Sequence, residues 1–241
     1  MIASRRESKL RYWLSGGFAL LVAAAAVCSF EAEAEDNIPP PGFAALFDGK
    51  DLEGWKGLVK NPPRRARMSP RELAEAQAQA DRRMREHWRV ENGELVFDGK
   101  GDNLCTARDY ADFELLVDWK IPPRGDSGIY LRGCPQVQIW EPRSPHQFHP
   151  PDGSGGLWNN RKDGRHPLAF ADRPVGEWNH FRILMKGEKV TVYLNDVLVV
   201  KEATLENYWE RDKPVYPRGQ IELQSHGGPL WFKNIFIGEM R

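Results

Sequence analysis

The chain has 241 residues, with 34 basic and 34 acidic side chains. Its length suits one all-β domain with additions, or two small domains. The neutral balance argues against a nucleic-acid partner, which needs a basic surface to neutralise phosphates. Near the N-terminus, Arg5, Arg6, Lys9 and Arg11 precede an apolar run, Phe18 to Val27. Ten apolar residues are too few for a comfortable membrane span, and small residues follow. Residues 1–34 therefore read as a signal peptide or N-terminal anchor. The protein is expected to be exported, periplasmic or extracellular, and to meet a membrane only through an uncleaved N-terminal segment. Residues 35–42, with "NIPPPG", read as a stiff linker, and residues 43–239 as one domain.

The first strong element is a helix. In "SPRELAEAQAQADRRMREHW", Ser69 is placed to cap, Pro70 to start and Glu72 to close a capping box. Its apolar positions are few and mostly Ala, so residues 69–88 read as a surface helical insertion. From Trp88 the pattern is β. "WRVENGELVFDG" is a hairpin turning at Asn92-Gly93. "FELLVDWKI" puts Phe113, Leu115, Val117 and Trp119 on one face, and Glu114, Leu116, Asp118 and Lys120 on the other. "GDSGIYLRGCPQVQIWEP" reads as two strands around a tight turn. There, Arg132 shares a face with Tyr130, and Gln136, Gln138 and Trp140 share another. Glu141 points away from them unless a bulge re-aims it.

Between Pro142 and Pro174 lies a long loop whose "GSGGLWNN" suits a flexible lip over a binding face. A three-strand meander follows, with turns at Lys186-Gly187-Glu188 and Asn195-Asp196, and then two closing strands. About ten short strands without βαβ alternation predict an all-β sandwich of two antiparallel sheets. Cys105 and Cys134 are left either as one disulfide or as two half-buried thiols. No cysteine or histidine spacing supports zinc. The nine tryptophans suggest that some are half-exposed platforms for sugar stacking, with Trp178 and Trp231 read as core.

Six stretches occur in order: "LFDGKDLEGW", "DFELLVDWKIPPRGDSGIYLRG", "VQIWE", "VGEWNHFRI", "VYLNDVLVV" and "GQIELQSHGGPLWFKNI". Together they resemble the 3-keto-disaccharide hydrolase domain family over Phe43 to Glu239. The helical insertion and "PQVQIW" resemble its planctomycete-like branch. The resemblance implies a concanavalin A-like jelly roll and chemistry on 3-keto-glycosides. The chain departs from the family pattern at three positions. It has Asp126 where Asn is common, Gln136 where an acid is common, and Glu141 where Asp is common. The loss at position 136 argues against a two-carboxylate mechanism.

A ketone at sugar carbon 3 acidifies the hydrogen at carbon 2, so the anomeric substituent can leave by elimination and water can add back. This route needs a base, an electrophile for the enolate oxygen and an acid for the leaving group. Asp118 or Glu141 is the candidate base, and Lys120 or Arg132 the candidate electrophile. His226 is an acid/base candidate because imidazole changes charge near neutral pH. Gln138 and Gln224 would bond hydroxyls beside Tyr130, and Trp140 or Trp158 would stack on the ring. No cofactor is demanded. A divalent metal could replace the cation, with Asp118, Glu141 and His226 as suitable ligand types.

Each residue also has a structural reading. Asp118 and Lys120 could be a surface ion pair, Arg132 a support, His226 a turn residue before Gly227-Gly228, and Gln138 a wet-face residue. Asn179 and His180 read as structural, and His146, His149 and His166 as solvated loop residues. The partner expected is a small carbohydrate. The competing function is a non-catalytic, lectin-like binding module. Convergence of Asp118, Lys120, Arg132 and Glu141 favours the enzyme, and their scatter favours the module.

Overall fold

The computed structural model describes residues 36–141 and 153–240. The expected signal segment, His146 and His149 lie outside the described residues. Two antiparallel sheets pack face to face as a jelly-roll sandwich of the concanavalin A-like kind. The first strands are β1 (Ala44–Ala45) and β2 (Trp55–Gly57), followed by helices α1 (Pro62–Arg65) and α2 (Pro70–His87). Then come β3 (Trp88–Glu91), β4 (Glu94–Asp98), β5 (Leu104–Thr106), β6 (Phe113–Lys120), β7 (Asp126–Leu131) and β8 (Cys134–Trp140). The remaining strands are β9 (Asn179–Lys186), β10 (Lys189–Leu194), β11 (Val197–Thr204), β12 (Glu222–Leu223) and β13 (Pro229–Glu239). The larger sheet runs β11-β10-β9-β6-β13-β4-β3, with β1 also on β13, and the smaller runs β2-β5-β12-β7-β8.

The alternation read from the sequence is the alternation observed. Phe113, Leu115, Val117 and Trp119 of β6 are buried with Phe181, Ile183 and Met185 of β9. Across the sandwich they meet Ile129 and Leu131 of β7, Val137 and Ile139 of β8, and Leu223 of β12. In β13 a register shift between Lys233 and Phe236, with Asn234 at φ 51°, changes the phase, so Phe232, Ile235 and Ile237 all face inward. The two-residue turns are of the type the hairpins need. Asn92 and Gly93 have φ of 51° and 78°, and Asn195 and Asp196 have 49° and 65°.

The helical insertion lies where an edge needs cover. The capping box at Ser69 and Glu72 forms as read from the sequence. Strand β2 is the rim of the smaller sheet and would leave backbone groups bare. Helix α2 supplies partners for both: Gly57 N donates to Asp81 Oδ1 at 3.0 Å, and Gln77 Nε2 donates to the Gly57 carbonyl at 2.9 Å. Cys105 and Cys134 are separate buried thiols, each pushed up to about 12 mainly by burial.

Under the insertion lies a buried acid. Glu222 is 2% exposed. It stands on the outer face of β12, opposite Cys105 and Tyr130 on the adjacent strands. Pro62 of α1 closes over it at Gly133, where a Cβ would come 2.9 Å from the proline ring. Among the described residues, the one side-chain hydrogen bond to its carboxyl comes from Asn103 Nδ2 at 3.5 Å. Burial raises its pKa from 4.5 to about 7, partly opposed by the charge of Arg65. The folded chain thus holds a proton that the unfolded chain releases. Stability from this source is full below pH ~4.5 and falls as pH rises to about 7, by on the order of 3 kcal/mol in all. Urea unfolding of wild type should therefore show stability declining over that interval, and Glu222→Gln should flatten the decline. Equal slopes in the two proteins would contradict the assignment.

Candidate active site

The outer face of the smaller sheet carries a cleft of about 580 Å³, a size suited to a small ligand. Its floor follows from the period of two along β7. Ser127, Ile129 and Leu131 are buried, while Asp126, Gly128 and Tyr130 alternate with them. The missing side chain at Gly128 makes room for the side chain of Gln136, whose Cγ and Cδ would each lie 3.0 Å from a Cβ there. From β8, Gln136, Gln138 and Trp140 face the same way, and the end of β12 adds Gln224 and then His226.

These side chains form a continuous polar chain. Gln136 Nε2 donates to Gln138 Oε1 at 2.5 Å. Gln138 Nε2 donates to Asp126 Oδ1 at 2.9 Å, to Ser127 O at 2.9 Å and to Ile139 O at 3.1 Å. The second oxygen of Asp126 lies 3.4 Å from His226 Nδ1. The imidazole is 59% exposed and the Asp126 side chain 16%, so the pair joins the floor to solvent. Separately from that chain, Gln224 Nε2 donates to the Tyr130 hydroxyl at 3.5 Å. Burial, and then the charge of Glu222, pushes the Tyr130 phenol well above its ordinary range, so it keeps its proton.

The walls are aromatic. Trp158 meets Trp140 edge-on, with ring centroids 4.8 Å apart, and the Arg165 guanidinium lies 4.1 Å over the Trp158 ring. Opposite, Tyr208 and Trp209 pack edge-on at 4.8 Å, and Trp209 Nε1 donates to Gly133 O at 2.7 Å. Tyr208 is 39% exposed, with the Arg211 guanidinium 4.8 Å over its ring. The glycine-rich stretch before Trp158 is not a flexible lip. Gly153 to Leu157 are buried. Gly155 N donates to Gln138 O at 2.8 Å and Gln138 N to Gly156 O at 2.9 Å, so the segment seals the free edge of β8.

The sequence-predicted residues divide between this cleft and other places. Tyr130, Gln138, Trp140, Trp158, Gln224 and His226 come together in it. Trp140 is buried with its indole N–H on Gly153 O at 2.8 Å, so it backs Trp158 instead of offering a face to a sugar. Asp118 and Lys120 are on the opposite side of the molecule, on the outer face of the larger sheet. Asp118 bonds His180 Nδ1 at 2.6 Å and Asn234 Nδ2 at 2.7 Å. Lys120 reaches Glu94 at 3.5 Å and lies over the rings of Trp178 and Trp231, at 4.4 and 5.3 Å. Those two tryptophans are half-buried on that outer face, contrary to the core expectation.

Arg132 does not share the face of Tyr130. It sits in the β7–β8 turn at φ 54°, with Gly133 at 74°, and is 2% exposed. Its guanidinium is spent on Ala111 O, Tyr216 O and the Asp112 carboxylate. Glu141 accepts from Arg124 N at 2.7 Å and braces the turn before β7. Asp118, Glu141 and His226 are thus too dispersed to share a metal ion. Among the described residues no three His, Cys, Asp or Glu side chains cluster as metal ligands.

Asp126, Pro135, Gln136, Asn159, Tyr208 and Trp209 are the cleft residues to which the sequence reading gives no role. Asp126 had a signal, since it lies two and four residues from Gly128 and Tyr130 and so shares their face. A larger groove of about 870 Å³ lies between the insertion and residues 216–220. Its lining alternates proline, alanine and leucine with charged and amide side chains, of which Arg65 and Arg132 are tied to backbone carbonyls. Polar groups converge in the smaller cleft.

The 3-keto-disaccharide hydrolase of Bacteroides thetaiotaomicron is 24% identical to the chain over 270 residues, covering 87% of this chain and 83% of that protein. Two crystal structures from Parabacteroides distasonis, each of a protein described as a candidate glycosyl hydrolase, share the fold. One has a TM-score of 0.60 at 22% identity, covering 86% of this chain and 100% of the other. The second has a TM-score of 0.58 at 27% identity, covering 83% and 85%. A profile of the 3-keto-alpha-glucoside-1,2-lyase-like domain matches residues 42–238, and on that match the chain belongs to this family.

Proposed function

We propose that this chain is an exported enzyme that cleaves 3-keto-disaccharides in the cleft of the smaller sheet. The observation that carries the proposal is the meeting of Asp126 and His226 at the edge of an aromatic-walled, amide-lined floor. The family description and the relative's name support the substrate class. The basic and apolar segment from Arg5 to Val27 supports export.

The chemistry follows from the groups present. His226, oriented by Asp126, takes the proton from carbon 2 of the oxidised ring. The electron pair of that C–H bond forms the enolate of the ketone. As the ketone is restored, the bond from carbon 1 to the glycosidic oxygen breaks and a C1–C2 double bond remains. The proton on His226 passes to the departing oxygen, releasing a free sugar. Water then adds its oxygen to carbon 1 and a proton to carbon 2, and the sum is hydrolysis. The cations Lys120 and Arg132 lie outside the cleft, so the enolate charge falls to neutral donors, the Gln224 amide and the Tyr130 hydroxyl. Tyr208 and Trp209 offer the sugar an apolar face.

The second reading is a carbohydrate-binding module on the same face. It is favoured by the scatter of Asp118, Lys120, Arg132 and Glu141. Purified mature protein incubated with 3-keto-trehalose or 3-keto-lactose separates the two. Release of monosaccharide supports the enzyme, and sugar binding without release supports the module. For the enzyme, His226→Ala should lower kcat/KM by about 10²–10⁴-fold, and Asp126→Asn should lower it by a similar order. Asp118→Asn should stay within about threefold of wild type, because Asp118 lies on the far sheet and does not touch the reacting atoms. A fall matching that of His226→Ala would return Asp118 to the mechanism. Tyr208→Ala should raise KM by about tenfold with kcat nearly unchanged, as expected for lost stacking, and steady-state kinetics will read the split.

A further inference from the structure

We infer that Gln136 reads the hydroxyl pattern of the sugar, through a carbonyl oxygen whose direction is forced by the amide beneath it; the inference rests on the cleft being the sugar site. The chain of hydrogen bonds has one allowed polarity. Gln138 Nε2 is surrounded by acceptors only: Asp126 Oδ1, Ser127 O and Ile139 O, all within 3.1 Å. An amide oxygen placed there would face three lone pairs, so the nitrogen must occupy the spot. Gln138 Oε1 therefore faces Gln136, and Gln136 must present its nitrogen in return, at 2.5 Å. Reversing Gln136 would set two carbonyl oxygens against each other.

Gln136 Oε1 is then the free end of the chain. It accepts no hydrogen bond from any described residue, and Gln136 lines the cleft while only 5% exposed. Its stem is confined as well. A Cβ on Gly128 would lie 3.0 Å from both Cγ and Cδ of Gln136. The side chain thus lies flat across the place that a larger residue at 128 would fill. Gln138, 2% exposed and committed at both ends, is a positioning residue and not the hydroxyl ligand expected from the sequence.

A fixed acceptor in mid-floor selects a donor. A sugar hydroxyl can donate and a keto oxygen cannot. The ring must therefore present an unsubstituted hydroxyl to Gln136, with its carbonyl turned away toward the Tyr130 hydroxyl, which accepts from Gln224 Nε2 and has its own proton to give. The ligand class is a keto-glycoside with a free hydroxyl at that point, and a deoxy or O-alkyl analogue there would strand a desolvated acceptor.

The test is calorimetric binding to His226→Ala protein, which keeps the ligand intact. The probes are methyl 3-keto-α-glucopyranoside and its 2-, 4- and 6-deoxy derivatives. One deoxy sugar should bind about 10–100-fold more weakly than the parent. Adding Gln136→Met, close in volume and unable to accept comparably, should weaken the parent to the level of that one derivative and leave the other two ratios unchanged. Equal affinity for parent and all three derivatives overturns the inference while leaving the cleft as a sugar site. This series needs no variant at position 136. Discrimination that survives Gln136→Met also overturns it. Absence of binding by every sugar overturns the cleft itself, and the inference with it.

Discussion

The site depends on one buried amide. Gln138 carries its nitrogen among three acceptors on its own strand and the adjacent one, and no other residue type supplies donors on one side and an acceptor on the other at that length. That amide holds one oxygen of Asp126, which leaves the other for His226. It also sets the direction of Gln136. Its backbone N–H and C=O bond the 155–156 segment that leads to Trp158. Floor, acid/base pair and one wall therefore share a single anchor, buried where water cannot compete for it.

The two outer faces of the sandwich behave differently because one is covered and the other is not. On the larger sheet, polar side chains pair with one another at positions that solvent reaches: Asp118 with His180, Lys120 with Glu94, Arg182 with Glu114. Pairs that solvent reaches add little stability. On the smaller sheet, residues 153–158, residues 206–211 and the helical insertion rise around the strands. They exclude water, supply aromatic walls and bury an acid at Glu222 that the open face could not hold neutral. The ionisable groups that matter are those forced into such surroundings.

Much of this was legible in the sequence, and the limits are physical. Strand alternation in β6 and β9 to β11 depends only on which residues bury, so Phe113 to Trp119 and the meander turns were read correctly. The capping box at Ser69 is local and was also legible. Period two says which residues share a face of one strand. It does not say which sheet that strand joins, and so Asp118 and Gln138 were placed in the same cleft when they lie on opposite sides. Arg132 was misplaced because the chain turns there with positive φ, where an alternation rule stops applying. The glycines before Trp158 looked flexible, but their smallness serves close packing against β8. Tyr208 and Trp209 sit in an irregular loop, and only the tertiary fold brings them to the cleft.

The central claim is that the sugar is handled on the smaller sheet. The indole N–H resonances of the His226→Ala protein, followed by NMR during titration with methyl 3-keto-α-glucopyranoside, address it directly. The account predicts shifts for Trp158 and Trp209, with Trp178 and Trp231 unmoved. Shifts confined to Trp178 and Trp231 would place the ligand beside Asp118 and Lys120 and contradict it.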